Sequence, residues 1–457
     1  MNIHFIAIGG AAMHNLAIAL HKKGYSIKGS DDEIFEPSKS RLKNYGLLPE
    51  KMGWYPENIT KDTDAVILGM HAREDNSELL KAKELGIKIF SYPEYLYEQS
   101  KNKKRVVIAG SHGKTSITAM ILHVLNMMDI NCDYMVGAQL EGFEVMVKLS
   151  EDAPYIIIEG DEYLTSPIDR RPKFHLYKPD VAVISGIAWD HINVFPTFNS
   201  YIEQFDIFIN KITTGGALIY FEDDENLKKI VEKAPAHLRK YPYNIPPDFY
   251  IDNGVTFLKA NDKTYHLQVF GKHNLANITA ARYVCAELGV NDDDFYNAIA
   301  LFKGASKRLE LVLSSSKGNM YKDFAHAPSK LKATVSALKD QYPDHMLIAC
   351  LELHTFSSLN ENFLPLYKDA MNNADIACVY FNPHTLEHKK LPPLSVEKVK
   401  LFFNNKDLLV FDNSETMKKF VIDNAKHQNS KVNVLMMSSG NFDGLVFEDV
   451  ASQIFAV

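Results

Sequence analysis

Short apolar runs alternate with helical segments along almost the whole sequence, and this alternation restricts the possible folds more than any other feature. The first run is IHFIAI (3–8), and later runs include DAVILGM (64–70), YIIIE (155–159) and MLIACLEL (346–353). Parallel neighbouring strands need a long crossover connection, which is usually a helix, so this alternation is typical of parallel sheets covered by helices. The sequence therefore predicts an α/β protein.

The length of 457 residues is too great for one ordinary hydrophobic core, so about two to four domains are expected. The polar run EQSKNKK (98–104) is a candidate linker, and a second boundary is predicted near FKGASKRLEL (302–311). The expected domains are therefore residues 1–102, 103–305 and 306–457.

Composition and charge argue against several classes of protein. A formal net charge of −7 without a basic stripe argues against nucleic-acid binding. No apolar stretch approaches the roughly 18 residues of a membrane-spanning helix, and the N-terminus resembles a first strand rather than a signal peptide. Scattered cysteines in apolar segments predict buried free thiols in a reducing compartment, here the cytoplasm. They are Cys132, Cys285, Cys350 and Cys378.

The stretch GSHGKTS follows the apolar run RVVIAG and precedes a predicted helix. A phosphate cradle needs accessible backbone N–H groups, a helix N-terminus and a lysine for the outer phosphates. Lys114 would neutralise phosphate, and Thr115 would supply a hydroxyl to Mg²⁺. The alternative is a tight strand–helix turn, because a common phosphate loop has four residues between its glycines and this one has two. The stretch consists of Gly110, Ser111, His112, Gly113, Lys114, Thr115 and Ser116.

Acidic and imidazole side chains follow two later strands. YIIIEGDEY supplies Glu159, Asp161 and Glu162, and DVAVISGIAWDH supplies Asp190 and His191. Ligands of doubly wound sheets bind at the carboxyl ends of the strands, and carboxylates there suit a hard cation such as Mg²⁺. Each cluster taken alone could be a solvated loop. Together with the glycine-rich stretch, they predict one binding crevice.

The segment GKHNLANITAA (271–281) carries two asparagines, Asn274 and Asn277, on one face of a predicted helix. Asparagine is a poor residue for a helix interior. An N-cap would explain Asn274 but would leave Asn277 unexplained.

The first strand and helix resemble a dinucleotide-binding fingerprint. Ala7 and Ala12 stand at two of its glycine places, so Gly9 and Gly10 remain for a close approach to a diphosphate. Asp31 follows the second strand, where a ribose-binding acid is expected. Ordinary strand–helix packing is one alternative. An NAD-dependent dehydrogenase is another, but it gives the second glycine-rich loop, the carboxylates and the asparagine pair no role.

These stretches together resemble the Mur ligase family, the ATP-dependent amide ligases of peptidoglycan synthesis. The matching pieces are GSHGKTS, EGDEY, WDH, GKHNLANITAA, KRLEL and DFAHAP, in family order and across essentially the whole chain. The family's phosphate loop has the short form G-x-x-G-K-S/T. The resemblance implies a Rossmann-like N-terminal domain for a UDP-sugar, a central P-loop ATPase domain, and a Rossmann-like C-terminal domain that closes on ATP and binds the amine substrate.

The resemblance also implies roles for individual residues. Lys114 is expected at the β- and γ-phosphates, and Thr115, Glu159 and His191 are expected to hold Mg²⁺. Arg308 is expected to reach the phosphates from the C-terminal domain. Lys114, His191 and Arg308 are thus the expected catalytic residues.

The expected nucleotide-binding set joins residues 110–116 to four further side chains and to Arg308. Asp323 is expected at the ribose and His326 over the nucleotide, with Asn274 and Asn277 from the helix. The expected UDP-sugar contacts are Gly9, Gly10, Ala11, Ala12, Met13 and Asp31.

Two branches of the family share the opening of this sequence. One adds L-alanine to UDP-N-acetylmuramate, and the other adds a recycled peptide of the L-Ala-γ-D-Glu-meso-diaminopimelate type. The stretches EGDEYLTSPIDRRPKF, KDFAHAP and MMSSGNFDGL favour the peptide-adding branch. The expected partners are UDP-N-acetylmuramate and the peptide, and the chain is expected to be a monomer or homodimer.

Three residues depart from the family pattern. Ala188 stands where a glutamate often precedes Asp-His, Ala327 replaces the second histidine of a pair, and His354 lies near a common arginine position. A nucleotide-binding regulatory protein with a degraded active site is the alternative that these departures favour.

Overall fold

The computed structural model describes residues 1–70, 72–139, 142–306 and 308–455, so Lys307 of the KRLEL motif lies outside the described residues. The strands, in chain order, are β1 (Asn2–Ile6), β2 (Ser26–Ser30), β3 (Ala65–Leu68), β4 (Lys88–Ser91), β5 (Lys104–Ala109), β6 (Cys132–Met135), β7 (Val147–Lys148), β8 (Tyr155–Glu159), β9 (Val181–Ile184), β10 (Ala217–Phe221), β11 (Arg239–Tyr243), β12 (Phe249–Asp252), β13 (Val255–Ala260), β14 (Lys263–Leu267), β15 (Glu310–Ser315), β16 (Gly318–Asp323), β17 (Met346–Leu353), β18 (Ile376–Phe381), β19 (Leu409–Phe411) and β20 (Val432–Met437).

The α-helices are α1 (Ala11–Lys22), α2 (Ser38–Asn44), α3 (Ser77–Glu84), α4 (Tyr92–Ser100), α5 (Lys114–Met127), α6 (Phe198–Ile209), α7 (Glu225–Glu232), α8 (Lys272–Glu287), α9 (Asp292–Ile299), α10 (Pro328–Gln341), α11 (Pro383–His388), α12 (Val396–Phe403), α13 (Ser414–Lys426) and α14 (Phe447–Phe455). Short 3₁₀ helices lie at Pro56–Asn58, Lys173–Leu176 and Leu364–Tyr367.

The chain divides into two compact units. Unit 1 comprises Met1–Ile187, Phe198–Tyr243 and Ala280–Asn291. Unit 2 comprises Ala188–Thr197, Asn244–Thr279 and Asp292–Val457.

Unit 1 begins with a four-stranded parallel sheet in the order β2-β1-β3-β4. The runs IHFIAI and DAVILGM, predicted as strands, are confirmed as β1 and β3, with ends shifted by one or two residues. One face packs on α3, where Ile6, Val66, Leu68 and Leu79 form a buried cluster. The loop that joins β1 to α1 lies at the carboxyl end of β1, the position at which open α/β sheets bind ligands.

Unit 1 also contains a seven-stranded sheet in the order β11-β10-β9-β5-β8-β6-β7. Its strands are parallel except that β6 and β7 pair antiparallel. Val106, Val107, Ile108 and Ala109 of β5 are fully buried, as expected for a central strand covered by helices on both faces. Because β5 and β8 are neighbours, the glycine-rich loop and the carboxylates of EGDEY leave the sheet side by side.

Unit 2 contains a three-stranded antiparallel sheet, β12-β13-β14, and a six-stranded sheet in the order β15-β16-β20-β17-β18-β19. The larger sheet is parallel except for the β15–β16 hairpin. Residues of β17 alternate between two cores: Leu347 and Leu351 face one, and Ile348 and Cys350 face the other. A strand buried on both faces explains why the MLIACLEL run is almost continuously apolar.

Two further observations bear on composition. All four cysteines are buried free thiols, as predicted. Among the described residues, no helix is both long enough and apolar enough to cross a bilayer.

Candidate active site

The glycine-rich stretch forms a tight loop between β5 and the fourteen-residue helix α5. Gly110 has a φ of 117°, and Gly113, which precedes the helix, has a φ of 69°. A Cβ atom at Gly110 would lie 2.4 Å from Ser185 Oγ and 2.6 Å from the Ser185 nitrogen, so a side chain is excluded there. The carbonyl of His112 accepts a hydrogen bond from the same Ser185 hydroxyl. The loop is thus held against the end of β9, with the N-terminus of α5 behind it.

Lys114 begins α5 and points back across the loop. Its Nζ donates to the Gly110 carbonyl at 2.8 Å and to Glu162 Oε2 at 2.7 Å. Burial by itself would lower the pKa of the ammonium group, but the charges of Glu162 and Asp161 outweigh burial, so the pKa of Lys114 lies above its ordinary value. The lysine is therefore a fixed cation at the loop.

Thr115 contacts the carboxylate that ends β8. Its hydroxyl donates to Glu159 Oε1 at 3.0 Å, and the backbone N–H of Gly137 donates to Glu159 Oε2 at 3.1 Å. Both Thr115 and Glu159 are buried. A hydroxyl oxygen beside carboxylate oxygens is a donor set suited to Mg²⁺, which usually takes one or two protein oxygens and completes its shell with phosphate and water. Among the described residues no group of three or more histidine, cysteine or acidic side chains is arranged to hold a metal.

Glu162 and Tyr201 complete this cluster; Glu162 was expected in the crevice without a role of its own, and Tyr201 was not expected. Tyr201 OH donates to Glu162 Oε1 at 3.1 Å and lies 3.0 Å from Ser111 Oγ. Both side chains are almost completely buried. Glu162 was visible in the sequence as part of EGDEY, whereas Tyr201 lies on α6, which carries no motif. A buried tyrosine at this point was not predictable from the pattern.

The Asp161 carboxylate has a separate partner. It accepts a hydrogen bond from Lys173 Nζ at 2.5 Å. Burial would raise its pKa, but the Lys173 ammonium group outweighs burial and holds the pKa of Asp161 below its ordinary value. The three acids of EGDEY therefore have three different partners.

His191 and Asp190 lie in unit 2, in the segment Ala188–Thr197. His191 has a φ of 55°, and its backbone N–H donates to Asp190 Oδ1 at 2.7 Å. Burial would raise the pKa of Asp190, but the charges of His191 and Lys330 hold it below its ordinary value. A left-handed conformation is uncommon for a residue other than glycine and is concentrated at functional sites.

Unit 2 also brings Arg308 to Asp323 and Phe324. The Arg308 guanidinium lies 4.6 Å from the centre of the Phe324 ring. Burial raises the pKa of Asp323 even though Arg308 and the hydrogen bond from Thr334, at 2.9 Å, oppose this change. Burial, followed by the charge of Lys330, lowers the pKa of His326 to about 4. His326 is therefore neutral at neutral pH.

Asn274 and Asn277 are buried in the first turns of α8. The helix begins at Lys272, so the N-cap alternative for Asn274 is wrong. Asn274 Nδ2 donates to the Phe270 carbonyl at 2.9 Å, and Asn277 Nδ2 lies 3.5 Å from Asn274 Oδ1. The two amides form a local pair in unit 2, as their spacing suggested.

The loop after β1 differs from the glycine-rich loop. Its Gly9 N–H donates to Asp31 Oδ2 at 2.7 Å, and burial is the main cause that raises the pKa of Asp31 to about 6. Gly10 is the N-cap of α1; Ala11 and Ala12 in the first turn are exposed and Met13 is buried. The expected UDP-sugar residues are thus neighbours around one helix N-terminus.

Two of the three departures can be described structurally. Ala327 is the N-cap of α10 and makes no side-chain cap. His354 Nδ1 lies 3.7 Å from the buried carboxylate of Glu352, which also accepts a 2.8 Å hydrogen bond from the Phe442 N–H. His354 is therefore held by an acid at the end of β17.

Two family models match the sequence. The model described as Mur ligase middle domain matches residues 108–285, and the model described as Mur ligase family, catalytic domain, matches residues 2–104.

Named proteins and solved structures agree with these matches. The chain is 34% identical over 383 residues to a UDP-N-acetylmuramate–L-alanine ligase of Sulfurihydrogenibium sp. (strain YO3AOP1), with 82% of each chain covered. A UDP-N-acetylmuramate–alanine ligase from Thermotoga maritima aligns with a TM-score of 0.68 and 19% identity, covering 99% of this chain and 98% of that one. A murein peptide ligase from Psychrobacter arcticus aligns with a TM-score of 0.65 and 20% identity, covering 100% of this chain and 99% of that one. At these identities, the two structures show a shared fold.

A lysine-bearing loop at the carboxyl ends of a parallel sheet is the type of site at which enzymes bind nucleoside phosphates. The sequence matches identify the class of enzyme more closely. The chain belongs to the Mur ligase family, whose members are ATP-dependent ligases that form amide bonds. The predicted α/β class, with the fold of the Mur ligases, and the predicted ligase activity are confirmed at this level, and the domain bounds 1–102, 103–305 and 306–457 stay a prediction.

Proposed function

We propose that this chain joins the lactyl carboxylate of UDP-N-acetylmuramate to the amine of a peptide of the L-Ala-γ-D-Glu-meso-diaminopimelate type, in peptidoglycan recycling. The observation that carries the proposal of ATP-driven chemistry is the cluster of Lys114, Thr115 and Glu159 at the ends of β5 and β8. Residues 1–102 would bind the UDP-sugar, residues 103–305 ATP, and residues 306–457 the amine substrate.

The joining of a carboxylate to an amine is uphill in water, so the acyl group must first be activated. In the proposed reaction, a lactyl oxygen attacks the γ-phosphorus in line, ADP leaves, and an acyl phosphate forms. The amine then attacks the acyl carbon and phosphate leaves. Because an anion attacks an anion in the first step, positive charge and alignment must account for most of the acceleration.

The chain's own residues would meet this need. The Lys114 ammonium, held at the loop by Gly110 and Glu162, supplies positive charge where the outer phosphates would bind. Thr115 and Glu159 would hold Mg²⁺, which when bound neutralises charge on the transferring phosphoryl group. We assign His191 to the same metal, and Arg308 to the phosphates, by the family resemblance alone.

The nucleotide would be oriented by four further residues. Asn274 and Asn277 present paired amides on α8, and Asp323 is held by Thr334 in a fixed orientation that suits a ribose hydroxyl. His326, neutral because its pKa is about 4, would contact the nucleotide without adding charge.

The identity of the amine is supported by sequence alone. The stretches EGDEYLTSPIDRRPKF, KDFAHAP and MMSSGNFDGL resemble the peptide-adding branch. A second candidate is the addition of free L-alanine, because the curated relatives at 34%, 32% and 31% identity are named UDP-N-acetylmuramate–L-alanine ligases. The peptide carries several carboxylates that free alanine lacks, so the two substrates make different demands on the amine site.

The deciding experiment measures ADP release with UDP-N-acetylmuramate and ATP, adding either the tripeptide or L-alanine. We expect turnover with the tripeptide and much slower turnover with L-alanine. Equal or faster turnover with L-alanine would replace the first candidate by the second. Nucleotide binding without turnover on either amine would favour the regulatory protein.

A further inference from the structure

Helix α6 places one tyrosine directly beneath the phosphate loop. The side chain of Tyr201 is completely buried, and its ring packs edge-on against Phe205 with centroids 5.3 Å apart. Phe205 contacts Phe174 edge-on, and Phe174 stacks on Phe208 at 4.7 Å. A ring held in such an aromatic cluster has little freedom to move. The position of its hydroxyl is therefore set by the core of unit 1.

That hydroxyl joins two parts of the candidate site. It donates to Glu162 Oε1 at 3.1 Å and lies 3.0 Å from Ser111 Oγ. A phenol has one O–H to donate, so when it donates to the carboxylate it accepts from Ser111. The chain of hydrogen bonds then runs from the loop, through Tyr201, to one oxygen of Glu162.

The other oxygen of Glu162 holds Lys114. Glu162 Oε2 accepts from Lys114 Nζ at 2.7 Å, and Lys114 also donates to Gly110 at the start of the loop. Glu162 is only 2% exposed, so water cannot readily replace a lost partner of its carboxylate. Without the tyrosine hydroxyl, Glu162 Oε1 would lose this hydrogen bond.

We propose that Tyr201 is a positioning residue for ATP: by fixing Glu162 and Ser111, it holds the phosphate loop and the Lys114 ammonium in the arrangement that receives the nucleotide. The inference rests on the nucleotide-binding role proposed for this loop. Tyr201 does not touch the substrate itself, so its removal weakens nucleotide binding through Lys114.

The test is the exchange Tyr201→Phe, which removes one oxygen atom and keeps the buried ring. A hydrogen bond to a charged group is stronger than one between neutral groups, so we expect affinity for a non-hydrolysable ATP analogue with Mg²⁺ to fall about tenfold. Calorimetric titration of the full chain measures this affinity. Affinity for UDP-N-acetylmuramate is expected to stay within about twofold of the wild type, because the UDP-sugar site is proposed on the other sheet of unit 1.

Tyr177→Phe is the matched control. Tyr177 is also completely buried in unit 1, but its hydroxyl has no hydrogen-bond partner within the described part of the chain. We expect Tyr177→Phe to bind both ligands as the wild type does. If the two exchanges lower nucleotide affinity equally, or if Tyr201→Phe lowers the affinity for both ligands equally, the effect is one of folding and the inference is wrong. Nucleotide affinity within about twofold of the wild type in Tyr201→Phe also overturns it.

A double-mutant cycle tests whether the tyrosine acts through Glu162. If it does, adding Tyr201→Phe to Glu162→Gln lowers nucleotide affinity by less than about twofold, because the charged acceptor is already gone. A full additional loss would show that Tyr201 does not act through Glu162 and would contradict the inference. Lys114→Ala separates this inference from the proposed function. If Lys114→Ala keeps wild-type nucleotide affinity, the nucleotide-binding role proposed for the loop is wrong. If Lys114→Ala loses nucleotide affinity and Tyr201→Phe does not, only the role of Tyr201 is wrong.

Discussion

The two sheets of unit 1 each carry a glycine-containing loop between a parallel strand and a helix, and the two loops have opposite electrostatics. In the loop after β5, Gly113 has a φ of 69° and the following residue is Lys114. In the loop after β1, Ala7 has a φ of 67°, and the N–H of Gly9 is bonded to the carboxylate of Asp31. Two loops in the same strand-to-helix position therefore present a cation in one case and an acid in the other.

This difference shows that the chemistry of such a loop depends on its side-chain partners more than on its glycines. The ammonium group of Lys114 lies at the N-terminus of α5, which favours an anion with several charges. In the loop after β1, Asp31 accepts a hydrogen bond from the Gly9 N–H. A carboxylate at this position suits a ligand that offers a hydroxyl as well as a phosphate. We expect ATP at the loop after β5 and the ribose of a UDP-sugar at the loop after β1.

The largest expected effect is that of Lys114→Ala. Loss of one preorganised cation at the transferring phosphate is expected to lower kcat by about 10²- to 10³-fold. ADP release in the presence of both substrates measures it, and the exposed Lys61→Ala serves as a control with unchanged turnover. If Lys114→Ala turned over at close to the wild-type rate, the Lys114 ammonium would have no catalytic role, and the proposed difference between the two loops would be wrong.

The second prediction concerns the close approach of the loop to β9. Gly110→Ala would place a methyl group 2.4 Å from Ser185 Oγ at a φ of 117°, so we expect a loss of about 3 kcal/mol in the free energy of unfolding. Denaturant unfolding followed by fluorescence measures it.

Gly86→Ala is the control for Gly110→Ala, because Gly86 has a φ of 67° but none of the described atoms outside its own neighbourhood lies within 4 Å of the added methyl group. It is expected to cost about 1 kcal/mol, the strain of the left-handed conformation alone. Equal costs for the two exchanges would show that contact with Ser185 is unimportant.

The third prediction is that the free energy of unfolding depends on pH through Asp31, in the loop after β1. Burial raises the pKa of Asp31 to about 6 in the folded chain, compared with about 3.9 when unfolded. The folded state therefore binds the proton on Asp31 more tightly than the unfolded state does. The resulting stabilisation of the folded state is complete below a pH of about 4 and is lost as the pH rises to about 6. Relative to Asp31→Asn, the wild type should lose roughly 1 kcal/mol over this range, after allowance for solvent screening.

Denaturation midpoints measured between pH 4 and about 7 test the pH dependence, with the exposed Asp62→Asn as the control that should follow the wild type. Parallel curves for the wild type and Asp31→Asn would contradict the raised pKa.

The smallest expected effect is that of Ala7→Gly. Relief of about 1 kcal/mol of left-handed strain is offset by the greater backbone freedom of glycine in the unfolded chain, so the free energy of unfolding should change by less than about 0.5 kcal/mol. Ala82→Gly, in the interior of α3, is the control and should cost about 1 kcal/mol or more. If Ala7→Gly is as destabilising as the control, the conformation of Ala7 is not strained.

Much of the fold was predictable because its signals are local. Apolar runs of four to eight residues give the strands, and EGDEY and GSHGKTS lie directly after two of them, so their meeting at one sheet edge follows from parallel pairing. Strands β10 and β11 were not predicted. β11 lacks an apolar pattern because it contains Arg239, Lys240 and Pro242. A sheet tolerates these residues, and proline in particular, in a strand at its edge, where β11 lies.

The sequence by itself determined the class of the protein, since glycine placement, lysine spacing and apolar alternation depend on residues close together in the chain. Only the tertiary structure decided which partners these residues have: Glu162 rather than Asp161 for Lys114, Ser185 for the loop, and Tyr201 beneath it. Tyr201 is 90 residues away from Ser111 along the chain. A contact over such a separation is fixed by the packing of α6 on the sheet, and no local pattern records it.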